Sequence, residues 1–304
     1  MSETKAVVTG GAGFIGSHIV AALLERGFET HSIDSLVAGK REDRLHRDAH
    51  YHEADIRDTA GLAEIFKDTT YVFHEAALPR VEYSIQQPEE TFQVNAAGTI
   101  SVLQAARTSG VKRVVLATSG SVYGDQEVKA FTEDLPAHPQ SPYAFQKYVS
   151  EHACRLWSEL YGLPTVSLRY FNVYGPGFDP AGPYGLVVGK FLTLRKEGKP
   201  ITIAGDGSHT RDYVHVKDVA RANLLAAESA KAGKGEVINI GTGHETSVAE
   251  IAQLVGGPVE YGAARIEPAR ACADITRAKA LLDWEPSISF PDGIAGLKKE
   301  LGID

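Results

Sequence analysis

Val7-Val8-Thr9-Gly10-Gly11-Ala12-Gly13-Phe14-Ile15-Gly16 is the stretch that decides the fold, because an apolar run meets a glycine-rich turn and the start of a helix. Gly10 permits a tight turn, Gly13 lets the backbone approach a pyrophosphate, and Gly16 lets helix and strand pack closely. Amide groups at a helix N-terminus also attract phosphate charge. The stretch therefore predicts a dinucleotide-binding turn.

An acidic residue in the right place supports this interpretation. Asp34 ends the next predicted strand in Ser32-Ile33-Asp34. A carboxylate there accepts hydrogen bonds from ribose hydroxyls and repels a 2′-phosphate. The sequence therefore predicts NAD rather than NADP as the cofactor.

Outward from this turn, short β-branched runs alternate with helical periodicities. We predict buried strands at 6–9, 31–33, 71–74, 114–118, 165–168 and 237–240, and helices at 15–26, 91–108, 143–160 and 216–230. This alternation is typical of an α/β fold with a doubly wound parallel sheet, a Rossmann domain.

The alternation of strands and helices is interrupted after residue 174. Residues 175–185 are rich in proline and glycine, which indicates a loop. We assign 1–174 and 211–242 to the Rossmann domain, and 175–210 and 243–304 to a smaller α/β cap domain. The ligand is expected between the two.

Composition narrows the function further. The chain has 304 residues and a formal net charge of −8, which disfavours a nucleic-acid partner. Only Cys154 and Cys272 are present, and no secretory pattern precedes the first strand, so we expect a cytoplasmic protein. No apolar run approaches the roughly 18 residues of a membrane span.

The predicted catalytic residues come from one helix and from the end of one strand. Tyr143 and Lys147 are one helical turn apart, and a lysine ammonium beside a phenol lowers the phenol's pKa. Ser119 ends a predicted strand, where parallel sheets bind ligands, so it can relay a proton to Tyr143. We therefore predict Ser119, Tyr143 and Lys147 as the catalytic set.

These motifs together resemble the extended branch of the short-chain dehydrogenase/reductase superfamily, and within it the UDP-galactose 4-epimerases. The resemblance covers almost the whole chain. It rests on segments 9–16, 55–56, 74–77, 119–124, 143–147, 169–175, 211–218 and 284–286, together with Asn95.

The resemblance implies which residues bind the ligands. The implied cofactor contacts are Gly10, Gly13, Phe14, Ile15, Gly16, Asp34, Asp55, Ile56, Ala76, Ala77, Asn95, Tyr143 and Lys147. The implied contacts to a UDP-sugar, which is expected between the two domains, are Ser119, Ser121, Tyr143, Asn172, Arg211, Arg265, Arg270 and Ala271. Residue chemistry alone also supports Arg211 as a ligand, because a planar guanidinium group can donate two hydrogen bonds to a diphosphate.

Three positions depart from the family pattern. Pro79 replaces a lysine that can reach the cofactor phosphates, and Ala204 replaces an aromatic residue that stacks on the nucleotide base. The segment 265–270 is one residue short, so either Arg265 or Arg270 is the second phosphate ligand; we favour Arg265.

A group of metal-ligating residue types lies elsewhere in the sequence. His46, His50, His52 and Asp55 are close together, but they straddle a loop and a strand start. Hydride chemistry needs no metal, so we predict none.

The implied reaction is 4-epimerisation of UDP-glucose and UDP-galactose through a 4-keto sugar. Dehydratases and decarboxylases of the superfamily need ionisable groups where this chain has Gly120 and Ser121. A simple reductase is a nearer alternative, and a non-catalytic NAD-binding protein a remote one. The small side chain of Ala271 predicts that N-acetylated sugars also fit.

Apolar residues on two predicted helices point to self-association. Segments 91–108 and 143–160 carry them on more than one face: Phe92, Val94, Val102, Leu103, Tyr148, Leu156 and Trp157. Relatives commonly pair these helices, so we expect a homodimer.

Overall fold

The computed structural model describes residues 4–37, 39, 42–178, 187–263 and 270–303. Its strands are β1 (Lys5–Thr9), β2 (Glu29–Asp34), β3 (His50–Glu53), β4 (Thr69–His74), β5 (Arg113–Ser119), β6 (Thr165–Tyr170), β7 (Asn172–Tyr174), β8 (Ile201–Ala204), β9 (Thr210–Arg211), β10 (Tyr213–His215), β11 (Glu236–Ile240), β12 (Thr246–Ser247) and β13 (Val259–Gly262).

The helices are α1 (Phe14–Glu25), α2 (Thr59–Ile65), α3 (Val81–Gln86), α4 (Pro88–Phe92), α5 (Gly98–Thr108), α6 (Pro142–Tyr161), α7 (Val187–Lys196), α8 (Val216–Glu228), α9 (Val248–Val255), α10 (Thr276–Leu282) and α11 (Phe290–Leu301). Short 3-10 turns occupy Glu42–Arg44 and Gly120–Tyr123, and a π-helical turn occupies Gln93–Ala97.

Seven of the described strands form one sheet in the order β11-β6-β5-β4-β1-β2-β3. Every neighbouring pair in it is parallel. The chain moves outward from β1 to β3, then crosses to β4 on the other side of β1. The loops after β1 and β4 therefore diverge and leave a crevice at the carboxyl ends of these strands. The predicted doubly wound Rossmann sheet is confirmed.

Alternating side chains of the strands build a core on each face of the sheet. Ala6 and Val8 of β1 pack with α1 and α8, whereas Val7 packs with α2, α5 and α6. Because both faces are covered, the central strands are largely buried and rich in apolar, β-branched residues, which is why the sequence predicts them clearly.

A third apolar cluster lies away from the sheet. It joins residues of α7, β8, α9 and α11, with Tyr174 and Tyr213. Not all of 243–304 belongs to it, because α10 and Trp284 pack in the core beside α1 and α8. The indole Nε1 of the fully buried Trp284 donates to the backbone oxygen of Asp218 at 3.0 Å.

Strand β3 and the start of the helix expected over 91–108 differ from the prediction, and short helices such as α2 and α3 were not predicted. Strand β3 was missed because it is the polar edge strand, with a sequence of His50-Tyr51-His52-Glu53 that is largely exposed. The helix expected over 91–108 begins earlier, at Pro88, and passes through the π-helical turn before α5. A proline is favourable in the first turn of a helix, so Pro88 marks that start.

Residues 175–178 lie outside strands and helices, as expected for the predicted loop, while residues 179–185 of that loop lie outside the described residues. Among the described helices, none combines the length and the apolar character needed to cross a bilayer.

Candidate active site

The glycines after β1 form a cradle that larger residues would fill. Gly10 has a φ of +72°, and a Cβ on it would lie 2.7 Å from the backbone nitrogen of Ala76. A Cβ on Gly16 would overlap the carbonyl oxygen of Gly10. Gly13 is the N-cap of α1, so the amides of the first turn are available to an anion. This cradle fits a dinucleotide pyrophosphate.

Asp34 lies at the end of β2, beside the glycine turn. Its carboxylate accepts hydrogen bonds from the backbone nitrogens of Ala12, at 3.2 Å, and Leu36, at 2.9 Å. The carboxylate is thereby fixed next to the cradle, as the interpretation of a ribose ligand requires.

Two residues predicted to contact the cofactor, Asp55 and Ile56, follow β3, and Asp55 is half-buried. Asp55 accepts hydrogen bonds from the side chain of Arg57 at 2.9 and 3.0 Å, and Arg57 lowers the pKa of this carboxyl. Ile56 is buried and packs with the α5 side of the core.

Asn95 ties the loop after β4 to α6. Its side chain accepts a hydrogen bond from the backbone nitrogen of Leu78 at 2.7 Å. It also donates to the backbone oxygen of Leu78 at 3.0 Å and to the side-chain oxygen of Gln146 at 2.8 Å. Ala76 and Ala77 lie in the loop held this way. Gln146 was not predicted, since its role depends on a partner 51 residues away in the chain.

Tyr143 and Lys147 lie in the first turns of α6, as predicted. Ser141 caps this helix and Pro142 begins it, and the backbone nitrogen of Tyr143 donates to Ser84 Oγ at 3.1 Å. The Lys147 Nζ atom lies 5.9 Å from the centre of the Tyr143 ring and donates to the carbonyl oxygen of Ala117 at 2.9 Å. The pair is thus held against the end of β5.

Ser119 is the last residue of β5 and lies beside α6. Its Oγ atom accepts a hydrogen bond from the backbone nitrogen of Ser121 at 3.2 Å, so it also caps the 3-10 turn that follows. Ser121 Oγ is buried and has no hydrogen-bond partner among the described residues. A buried hydroxyl of this kind is a candidate ligand group, since such atoms normally have partners.

Glu75 is a titratable group in the crevice that the sequence did not single out. The Tyr170 hydroxyl donates to Glu75 Oε1 at 2.7 Å, and the Asn223 amide donates to that hydroxyl at 2.8 Å. Burial raises the pKa of Glu75, although Tyr170 and the Lys147 charge oppose this. Burial lowers the pKa of the Lys147 ammonium, and the Glu75 and Glu151 carboxylates oppose that. Each group favours the charged form of the other.

A buried ion pair joins α6, which carries Lys147, to β6. Glu151 of α6 binds Arg169 of β6 through two hydrogen bonds, of 2.9 and 2.7 Å, and both side chains are almost fully buried. Thr118 donates to the same carboxylate at 2.7 Å. These bonds join α6, β5 and β6 directly behind Ser119 and Lys147.

The predicted sugar-nucleotide residues lie at a different part of the crevice. The Asn172 amide donates to the backbone oxygen of Asp212 at 3.0 Å, and Arg211 is half-buried next to it. The buried Asp212 carboxylate accepts from the backbone nitrogens of Thr242 and Ala273, at 2.7 and 3.1 Å. Asp212 therefore gathers three separate chain segments around Arg211.

Arg270 is exposed and forms an ion pair with Glu245. Glu245 also accepts a hydrogen bond from Thr210 Oγ1 at 2.7 Å, and Arg270 lowers the pKa of this carboxyl. Glu245 thus joins Arg270 to Thr210, the neighbour of Arg211, and the charges of both arginines lower its pKa. Arg265, the favoured second phosphate ligand, lies outside the described residues.

Ala271 packs at the edge of a small aromatic cluster formed by Tyr123, Phe131 and Phe171. Its backbone oxygen accepts a hydrogen bond from the backbone nitrogen of Asp212 at 2.8 Å. The residue predicted to face the sugar is thus anchored beside the segment that carries Arg211.

The structure does not gather the four metal-ligating residues noted in the sequence. The His46 ring donates to the backbone oxygen of Ser17, and Asp55 pairs with Arg57. His50 and His52 alone share a face of β3, and they lie near His31 instead.

A Rossmann sheet with a glycine cradle, an acidic residue after β2 and a buried tyrosine–lysine pair at the crevice defines an extended short-chain dehydrogenase/reductase. The chain belongs to the NAD dependent epimerase/dehydratase family, whose model matches residues 6–241.

Individual relatives cover nearly the whole chain. The UDP-glucose 4-epimerase of Mycolicibacterium smegmatis is 39% identical, over 96% of this chain and 96% of its own. The structure of UDP-glucose 4-epimerase from Thermotoga maritima with UDP-glucose has a TM-score of 0.91 and 37% identity, over 98% of this chain and 100% of that one. The UDP-N-acetylglucosamine 4-epimerase of Methanobrevibacter ruminantium, solved with UDP-N-acetylmuramic acid, has a TM-score of 0.90 and 33% identity, over 99% and 100%.

Proposed function

We propose that this protein is an isomerase, an NAD-dependent 4-epimerase of UDP-sugars that interconverts UDP-glucose and UDP-galactose. The observation that carries the proposal is the buried pair of Tyr143 and Lys147, held against the end of β5 beside Ser119. This is the arrangement that alcohol oxidation at a sugar carbon requires, a general base next to a proton relay.

The protein's own residues move one proton in each direction. Ser119 Oγ receives the proton of the sugar 4-hydroxyl and passes one to the Tyr143 phenolate. The Lys147 ammonium stabilises that phenolate, and the Ala117 carbonyl fixes the ammonium in place. Tyr143 later returns the proton, through Ser119, to the 4-oxygen of the sugar. Thr118, Glu151 and Arg169 keep the strands and helix in register during both steps.

The cofactor is NAD, held by the glycine cradle. When bound, NAD would supply a hydride acceptor for C4 of the sugar and would be regenerated when the hydride returns. Asp34 would accept hydrogen bonds from the ribose hydroxyls and exclude a 2′-phosphate, and the loop held by Asn95 would contact the cofactor. The remaining proposed contacts are Gly10, Gly13, Phe14, Ile15, Gly16, Asp55, Ile56, Ala76 and Ala77.

The sugar nucleotide binds across the crevice. Asn172 and Arg211, which Asp212 holds together, contact the diphosphate, with Arg265 or Arg270 as a second cation. Ser121 Oγ supplies a further hydrogen bond to the sugar. Of these contacts, Arg265 and Arg270 belong to the proposed cap domain of 175–210 and 243–304, whereas Asn172, Arg211 and Ser121 belong to the Rossmann domain. Within 243–304, α10 and Trp284 pack beside the sheet instead of with the cap.

Elimination reactions of the same family are disfavoured by the turn after Ser119. An acid and a base are needed there to remove the C5 proton and the 6-hydroxyl, and Gly120 and Ser121 supply neither. A Cβ on Gly120 would lie 3.4 Å from the Phe171 ring, so this position also packs against an apolar surface.

The deciding experiment is incubation of the purified protein with single UDP-sugars and no added cofactor. We expect UDP-glucose and UDP-galactose to equilibrate, and the denatured protein to release NAD rather than NADP. A need for added NAD, with net formation of a ketone or NADH, would instead identify a dehydrogenase or reductase.

We further propose a cytoplasmic homodimer. Its location is supported by the buried free thiols of Cys154 and Cys272. Its assembly is supported by apolar side chains exposed around α5 and α6: Phe92, Ile100, Phe145, Leu156, Leu160 and Tyr161. Val102 and Leu103, expected at this surface, are instead fully buried in the protomer's own core. Light scattering at micromolar concentration should give the mass of two chains, and a monomer would contradict the proposal.

A further inference from the structure

Histidines from two strands meet on one face of the sheet, away from the crevice. His31 of β2 lies directly opposite His50 of β3, and Glu29 precedes His31 by two residues on the same face. Glu29 begins β2 and His50 begins β3. The group therefore lies toward the amino-terminal ends of these parallel strands, whereas the cofactor cradle follows the carboxyl end of β1.

The donor atoms of these residues are close enough to share an ion. One ligand atom each of Glu29, His31 and His50 lies within 4.8 Å of the others, and His31 Nε2 is 2.9 Å from Glu29 Oε1. Tetrahedral zinc with bonds of about 2.0–2.2 Å needs ligand atoms about 3.4 Å apart. Small side-chain rotations on two paired strands cover this difference.

His52 supplies the outer contact that metal-bound histidines usually have. Its Nε2 atom lies 2.9 Å from His31 Nδ1, and the two rings stack with centres 5.1 Å apart. When His31 binds an ion through Nε2, its Nδ1–H donates to His52, which fixes both the tautomer and the ring orientation.

We propose that Glu29, His31 and His50 form a binding site for one divalent cation of the zinc class, oriented by His52. Imidazole with carboxylate favours zinc-type ions over magnesium or calcium. The Glu29 side chain is 42% exposed and that of His31 14%, so an ion can enter and a water can complete its coordination. The bound ion joins the polar edge strand β3 to β2.

Lys5 sets an upper limit on the affinity. This lysine begins β1 beside Glu29, and its Nζ atom donates to the carbonyl oxygens of Ile65 and Lys67 at 2.8 and 2.9 Å. The positive charge of Lys5 repels a metal ion at this site, while the negative charge of the Glu29 carboxylate attracts the ion. We therefore expect a lower affinity than the same three ligands would have without this lysine.

The test is zinc titration of the untagged, full-length protein with its native cofactor, at pH 7.5 after removal of metals by a chelator. Calorimetry should show one Zn²⁺ per chain, and Co²⁺ should give the visible absorption bands of a tetrahedral site. His50→Gln and His31→Gln should weaken zinc binding at least about tenfold. His52→Gln should keep the stoichiometry of one Zn²⁺ per chain but lower the affinity about 10- to 100-fold.

His46→Gln is the matched control, because His46 is a nearby histidine bonded to Ser17 outside the group. It should bind zinc like the wild type. Zinc should also raise Tm by a few degrees in the wild type and not in His50→Gln. His50 is exposed, so this variant should fold, which retained NAD and circular dichroism can verify.

Absence of saturable binding, or equal binding by wild type and His50→Gln, would overturn the proposal. These readouts do not depend on epimerase activity, so either outcome leaves the proposed reaction to be judged separately.

Discussion

The crevice has two sides that hold their predicted functional residues in different ways. On the cofactor side, Asn95 and Lys147 are buried and bonded to backbone atoms of neighbouring strands and loops. On the sugar-nucleotide side, Arg270 has a side chain that is 54% exposed and is held by an ion pair with Glu245. Arg211, on the same side, is half-buried.

This difference matches the demands of the two tasks. Proton transfer requires atoms held within a few tenths of an ångström, which buried hydrogen bonds in a packed core provide. Substrate selection requires side chains that differ among relatives, and exposed ion pairs contribute little stability, so they can change at low cost. We expect substitutions on the first side to alter the rate and substitutions on the second to alter KM and selectivity.

The largest expected effect is on the cofactor side. Tyr143→Phe should lower kcat by about 10²–10⁴, because it removes the general acid–base group. Fold, NAD content and KM should change little. Tyr148→Phe, on the same helix, is the matched control, and near-normal turnover in Tyr143→Phe would refute the mechanism.

The arginines should separate affinity from rate. Arg211→Leu should raise KM for the UDP-sugar about ten- to a hundredfold, since it removes a charge-assisted hydrogen bond to the diphosphate. Arg265→Leu should act similarly and Arg270→Leu only weakly, as we favour Arg265 for the second contact. Arg26→Leu, which breaks an exposed pair with Glu228, is the control. If kcat fell and KM did not, the two sides would not differ as we propose.

Low pH should lower the stability of the folded protein through His74, which ends β4 on the cofactor side. Its ring is bonded to Thr9 and Thr99 at 2.7 and 3.0 Å, and burial lowers its pKa from 6.5 to about 3. The unfolded chain therefore binds one more proton below pH 6.5. The stability that this ring contributes is lost as the pH falls toward 3, by about 1.4 kcal/mol per pH unit.

His74→Gln should remove that dependence. Urea unfolding of both proteins at pH 7.5, 6 and 5 should show their difference shrinking as the pH falls. The pKa of Glu75 is raised, so its protonation at falling pH favours the folded state and opposes the effect of His74. The difference in unfolding free energy between the two proteins is therefore more informative than the pH dependence of either one. A constant difference would contradict the buried neutral ring.

The smallest expected effect concerns Ala271. Ala271→Tyr should lower kcat/KM for UDP-N-acetylglucosamine and UDP-N-acetylgalactosamine about tenfold relative to UDP-glucose and UDP-galactose, because the phenol fills the space of the acetamido group. Wild-type protein should use both pairs. If the N-acetyl pair is inert with the wild type, or insensitive to the tyrosine, Ala271 does not face the sugar.

Local patterns were sufficient to predict the sheet and the catalytic helix. The glycine turn at 10–16, the apolar strands and the Tyr143–Lys147 spacing are short-range signals, since backbone conformation and helical periodicity act over a few residues. Central strands are recognisable because both faces are buried. The edge strand β3 has no such constraint and was missed.

Long-range contacts were not predictable in this way. Glu75 and Tyr170 are 95 residues apart in the chain, and His31 and His52 are 21 apart on neighbouring strands. The sequence by itself determined the fold class, the cofactor turn and the tyrosine–lysine pair. Only the tertiary structure decided that the charges of Glu75 and Lys147 act on each other, that Asp212 gathers the segments around Arg211, and that the histidines of β2 and β3 meet. The physical reason is that strand order and register bring these side chains together, and both depend on packing of the whole sheet.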